Sequence, residues 1–186
     1  MSATEPFRPI PFALVPFGAV SDNDLHLGGT IGRQGERLWV HYMLRGPLQR
    51  LAIPPLAATP RRRDELWQAT CLELFLALPG QEAYREFNLS PSGDWNVYRL
   101  DGYRQGLRAD PAWSALPLSR RDPDPATTLE MRLTTTLPAE LAAAAELEAA
   151  VTAVLQQQSG SCSYWALRHP GPEADFHRRD GFALRL

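Results

Sequence analysis

The sequence predicts an all-β protein built as a two-sheet β-sandwich with little helix, and three observations carry that reading. Short apolar segments between Trp67 and Leu100 alternate with period two, as half-buried strands do and amphipathic helices do not. Clusters of Gly, Pro, Asn, Asp and Ser punctuate the chain at short intervals and set off about nine strands. Helix-favouring composition is confined to one alanine-rich stretch after Pro138, where propensity alone supports a helical turn.

Residues 1–20 are apolar and broken by prolines, which suits an edge strand or an extended arm rather than a central strand. Ser21-Asp22-Asn23-Asp24 is a turn cluster. Leu25 to Ile31 and Arg37 to Leu44 form a hairpin across Gly32-Arg33-Gln34-Gly35, and Leu48 to Ile53 adds a short strand. Pro54 to Asp64 is a loop whose three arginines, Arg61 to Arg63, read as a solvated tip or an anion contact.

Glu65 to Gly106 is the centre of the chain. In its first strand Leu72, Leu74, Leu76 and Leu78 share one face, against Trp67, Cys71, Glu73 and Phe75 on the other. Next, Phe87 and Leu89 oppose Glu86, Asn88 and Ser90, and then Trp95, Val97 and Arg99 oppose Asn96, Tyr98 and Leu100. One face is a dry core; the other is rich in aromatics, carboxylates and amides. The Pro-rich segment from Ala109 to Thr127 is a long surface connection. Strands follow at 128–134, 147–156, 161–168 and 181–186, with a helical turn near 138–145.

With 186 residues and no break in composition, one domain spanning 1–186 is expected. A formal net charge of −2 gives no electrostatic case for nucleic acid. All 19 basic residues are arginine, which excludes a lysine Schiff base. The two cysteines, Cys71 and Cys162, fall in strands and are expected reduced and buried, a cross-strand disulfide being the alternative. The first residues lack a basic, uninterrupted signal segment and no apolar run would span a bilayer. A cytoplasmic protein with no membrane partner is the expectation.

Sugars are held by an aromatic platform for their C–H faces and planar polar groups for their hydroxyls. Trp67, Glu73, Asn88, Trp95 and Tyr98 supply those types. The alternative is structural, with both tryptophans covering sheet edges and Glu73 paired with Arg99 or Arg104. His169, Asp175 and His177, in a Pro-rich loop, are weak candidates for a metal site, a structural loop with His and Asp hydrogen-bonded to backbone being the favoured reading. His41 and Met43 lie too close on one strand to be opposing haem ligands. No nucleophile stands beside a base, so no catalytic residue is assigned.

The segments L-W-Q-A-T-C-L-E-L-F-L, E-F-N-L-S-P-S-G-D-W, Y-R-L-D-G-Y-R and S-Y-W-A-L-R-H-P-G-P-E-A-D-F-H together resemble the DOMON-like proteins related to family 9 carbohydrate-binding modules. The resemblance implies an immunoglobulin-like sandwich; with the residue types above, a non-catalytic domain for a saccharide or other small polar ligand is the leading expectation. It also implies that Trp67 and Glu73, six residues apart on one strand, face that ligand, with Asn88 on the next strand. The second aromatic expected near the last hairpin is replaced by His169, Phe176 and His177, and Ala69-Thr70 stand where calcium carboxylates would be, so no cofactor is assigned. A protein-interaction or structural module, or a haem or metal domain, is the alternative.

Overall fold

The computed structural model describes residues 9–18 and 24–186. The expected turn at Ser21 to Asn23 lies outside them, as do the first eight residues. The fold is nearly all β. Its strands are β1 (Ile10–Pro16), β2 (His26–Gln34), β3 (Arg37–Arg45), β4 (Cys71–Ala77), β5 (Tyr84–Leu89), β6 (Trp95–Leu100) and β7 (Arg108–Ala109). After them come β8 (Leu118–Asp124), β9 (Thr128–Thr136), β10 (Glu148–Gln156), β11 (Cys162–Ala166) and β12 (Leu184–Arg185). One short helix, α1 (Ala139–Ala142), interrupts them. All pair antiparallel along the order β7-β6-β5-β4-β10-β11-β1-β2-β3-β9-β8, with β12 beside β10.

That long path curls, so β2 and β3 face β4 and β10 across a shared core. Leu38, Val40 and Leu44 of β3 cluster there with Leu72, Leu74 and Leu76 of β4, all 0–1% exposed. Truncating one such leucine to alanine costs about 2–5 kcal/mol. The Tyr42 hydroxyl donates to the Glu73 carbonyl at 2.6 Å and ties the two halves together. Every residue of β4 is buried on either face, which is why C-L-E-L-F-L-A reads as a nearly continuous apolar run rather than a strict alternation.

Several boundaries differ from expectation for identifiable reasons. The first hairpin turns at Gly35-Glu36, because Gln34 still pairs with Arg37; Gly35 has φ +58° at the first central position, where a two-residue turn favours glycine. Strand β1 is not an edge. Ile10 to Leu14 pair with β2 and Val15–Pro16 with β11, so each stretch leaves one side unpaired and its prolines are tolerated. Leu48–Arg50 is a 3-10 turn, not a strand. The Pro-rich connection contains edge strand β8, with Pro123 inside its bulge between Arg121 and Asp124, and is anchored by Trp113 packed edge-on to Phe87 at 5.0 Å. Helix α1 ends after one turn, its last carbonyl (Ala142) and that of Ala144 just beyond it accepting from Arg33 at 2.7 and 2.8 Å.

Both cysteines are free thiols. Cys71 is fully buried, whereas Cys162, expected to be buried, is only partly covered. Native thiol titration is therefore expected to count one reacting group and denatured titration two. Fast native labelling of both would contradict the placement of Cys71.

Candidate functional site

The second face of β4, β5 and β10 carries the candidate site. Register sets its membership: Glu73 stands opposite Asn88 and Thr152, while Phe75 stands opposite Glu86 and Ala150. Cross-strand partners share a face. Over it lies a depression of about 690 Å³, with Glu73, Glu86 and Phe75 on its floor and Trp67, Tyr164 and Phe176 among its walls. A cavity of this size suits a small ligand.

Trp67 reaches the depression by a different route from the expected one. It is not on β4 but in the 3-10 turn Leu66–Gln68, which Glu65 enters in a left-handed conformation at φ +60°. The half-buried indole stands edge-on to Tyr98 at 5.7 Å between ring centroids. Tyr98 in turn donates to the Asp64 carboxylate at 2.8 Å, so it braces the indole from behind and does not line the depression. The six-residue spacing from Trp67 to Glu73 brings both to one place without a shared strand.

The far wall is the segment around residues 172–177, and a polar network holds it down. Asp175 accepts from Tyr103, from Arg104 at 3.0 Å and from the His177 amide at 3.1 Å. The Tyr84 hydroxyl lies 2.8 Å from His177 Nδ1 and accepts from the Arg104 amide at 3.3 Å. Burial, with the nearby Arg104 charge, lowers the His177 pKa to about 4. The ring is therefore neutral at neutral pH, with Nδ1 in a hydrogen bond to the Tyr84 hydroxyl whose direction follows the tautomer.

Glu73 and Glu86 are the chemically distinctive pair. They are 2% and 4% exposed. Thr152 donates to Glu73 at 3.0 Å and Asn88 donates to Glu86 Oε1 at 2.9 Å. Glu86 Oε2 is buried with no hydrogen-bond partner. Burial, then the charge of Glu86, pushes the Glu73 pKa well up. Burial likewise raises that of Glu86, against the Asn88 hydrogen bond and Arg104. Below them Cys71 donates weakly to Asn88 Oδ1 at 3.6 Å, its own thiol pushed up by burial and by Glu73. Glu73, held by Thr152 instead, forms no ion pair with Arg99 or Arg104, the instances the structural alternative offered.

Of the sequence candidates, Trp67 and Glu73 line one depression, Asn88 supports its floor, and Tyr98 stands behind a wall. Trp95 does not join them. It sits 5% exposed in the main core, with the Arg62 guanidinium 4.5 Å above its ring. Three positions separate Trp95 from Tyr98, so strand parity puts them on opposite faces. Arg62 is accordingly no solvated loop tip. It donates to Asn96 Oδ1 at 2.6 Å, to the Val97 and Asp110 carbonyls at 3.2 Å, and to the Trp113 carbonyl. The metal candidates also disperse: His169 contacts the Val15 carbonyl at 2.9 Å and Phe17, away from Asp175 and His177. Among the described residues no three His, Cys, Asp or Glu gather as a metal-ligating set. Glu86 and Tyr164 were not among the candidates. Glu86 was legible, since it shares the parity of Asn88; Tyr164 needed the β10–β11 register, in which it pairs with Val154.

No family model matches the sequence, and no curated protein matches it. Among solved structures the chain aligns with a candidate carbohydrate-binding protein from Bacteroides uniformis at 11% identity, over 90% of this chain and 83% of that one, with a TM-score of 0.61. Two family 9 carbohydrate-binding modules from Caldicellulosiruptor kristjanssonii, one in complex with glucose and the other with cellotriose, align at 14% and 13% identity. They cover 81% and 87% of this chain and 69% and 72% of theirs, with TM-scores of 0.40 and 0.42, too low to carry an argument. What the first alignment establishes is a shared fold.

Proposed function

We propose that this protein is a non-catalytic domain that binds a saccharide in the depression between Trp67 and the 172–177 segment. We read its two halves as the layers of an immunoglobulin-like sandwich, related to the DOMON-like proteins and family 9 modules. The carrying observation is the convergence of a half-buried indole with two buried carboxyls in one concavity of about 690 Å³. An indole face offers a platform for sugar C–H groups, and the carboxyls offer planar acceptors for hydroxyls. The fold shared with a candidate carbohydrate-binding protein supports the same reading. A protein-docking module would want a flat apolar patch, and the surface here is concave with two carboxyls on its floor.

A glycan-array screen of the parent protein tests this, with Trp67→Ala as the variant. Binding of at least one glycan class is expected, and loss of the indole should abolish it while the protein stays folded. A parent that binds no glycan, together with a Trp67→Ala variant destabilised by about 3–5 kcal/mol, would make Trp67 an ordinary packing residue and remove the proposal.

A further inference from the structure

The ionisable groups of this depression do not balance. Glu73, Glu86 and Glu173 line it, against one cation, Arg104. Arg104 is already engaged at 3.0 Å with Asp175. His177 carries no charge to offer at neutral pH, because burial and the nearby Arg104 keep its ring neutral while Nδ1 is engaged with the Tyr84 hydroxyl. Among the described residues the two floor carboxyls therefore have no cation in ion-pair contact, Arg104 acting on Glu86 only through its charge, and Glu86 Oε2, on a residue 4% exposed, lacks even a neutral donor. A buried acceptor left in this state costs free energy unless something fills it.

A neutral hydroxyl would satisfy that oxygen but leave the ionised form of the carboxyl, disfavoured by burial, without a counter-charge. A metal ion would neutralise it, but the described residues gather no ligand set for one. An organic ammonium meets both needs. It donates hydrogen bonds to carboxylates, and its charge is favoured near aromatic rings such as those of Trp67, Tyr164 and Phe176 in the walls.

We propose that the ligand is an amino sugar whose protonated amine is directed at the free oxygen of Glu86. This rests on the saccharide-binding reading and specifies the sugar class within it. The raised pKa values of Glu73 and Glu86 are what burial of two carboxyls without a cation produces.

Short oligomers of glucosamine, N-acetylglucosamine and glucose share a β-1,4 backbone and differ at the second carbon, so their affinities isolate the charge. Isothermal titration of the parent protein should show the glucosamine oligomer bound about tenfold or more tighter than the other two, the scale of one charge-assisted hydrogen bond. Glu86→Gln, nearly the same in shape, should erase that preference. Neutral oligomers bound as tightly as the amine form would overturn the amino-sugar inference and leave saccharide binding standing. A preference that survives Glu86→Gln would overturn the assignment to Glu86. Ethanolamine bound as tightly as the oligomer would overturn the sugar part, and binding of none of the four would overturn the amino-sugar inference, with the glycan array deciding the saccharide reading separately.

Discussion

Replacing Arg62 by methionine is expected to lower the melting temperature by about 10 °C. The residue is an exposed-looking loop arginine in the sequence, yet its guanidinium serves four acceptors: Asn96 Oδ1 and the carbonyls of Val97, Asp110 and Trp113. It thereby fastens the 54–64 loop and the connection after β7 to strand β6, while its plane covers Trp95 at 4.5 Å. Methionine keeps part of the cover and leaves the acceptors without their donors. Charge-assisted bonds lost at this site add up to about 3–5 kcal/mol. For a chain of this size each kcal/mol corresponds to about 2–4 °C. Lysine should not rescue it, because a point charge cannot serve a fork of acceptors. Arg61→Met is the control: Arg61 meets Asp94 through its backbone amide at 3.0 Å, which the substitution retains. Equal melting temperatures for the two variants would refute the role assigned to Arg62.

The same residue shows where the sequence stops being legible. Period two reveals which side chains share a strand face, so Leu72, Leu74, Leu76, Phe87 and Leu89 fall in the core as expected. It equally separates Trp95 from Tyr98, so offering both as ligand-binding residues set residue type above parity. What alternation cannot show is which loop covers which face. The arginines at 61–63 carry no period, and only the bridge of Arg62 to Trp95 reveals that the loop lies along β6. Trp67 reached the expected place by a turn, because Glu65 adopts a positive φ that nothing in a strand pattern announces. Strand β8 was obscured by its prolines, which an edge strand with a bulge accommodates. The second face of β4 was legible as polar and aromatic, but its cover by residues 172–177 depends on Asp175 meeting Tyr103 and Arg104, 72 and 71 positions away.

That cover should also make stability depend on pH in a defined direction. His177 has a folded pKa of about 4, held down first by burial and then by Arg104, with Asp175 opposing. An unfolded histidine titrates near 6.5. Between those values the unfolded chain binds a proton that the folded one refuses, so stability is lost as pH falls from about 6.5 to about 4. The gap of about 2.5 units, at 1.36 kcal/mol each, corresponds to about 3 kcal/mol. Glu73 and Glu86 work the other way. Their raised pKa values mean that the folded protein keeps protons the unfolded chain has released, so their contribution is present at low pH and is lost as pH rises above the ordinary glutamate range. Asp175 and Glu140, whose pKa values are lowered, lose their contribution only as pH falls through the carboxylate range, at the acid end of the histidine window. Denaturant unfolding of the parent and of His177→Gln from pH 4 to pH 8 separates these contributions. The difference in stability between the two should shift by about 3 kcal/mol in favour of the variant as pH falls across that window. A difference that stays constant from pH 6.5 to pH 4 would mean that His177 protonates freely in the folded protein, and that the 172–177 segment does not seal the depression at that end.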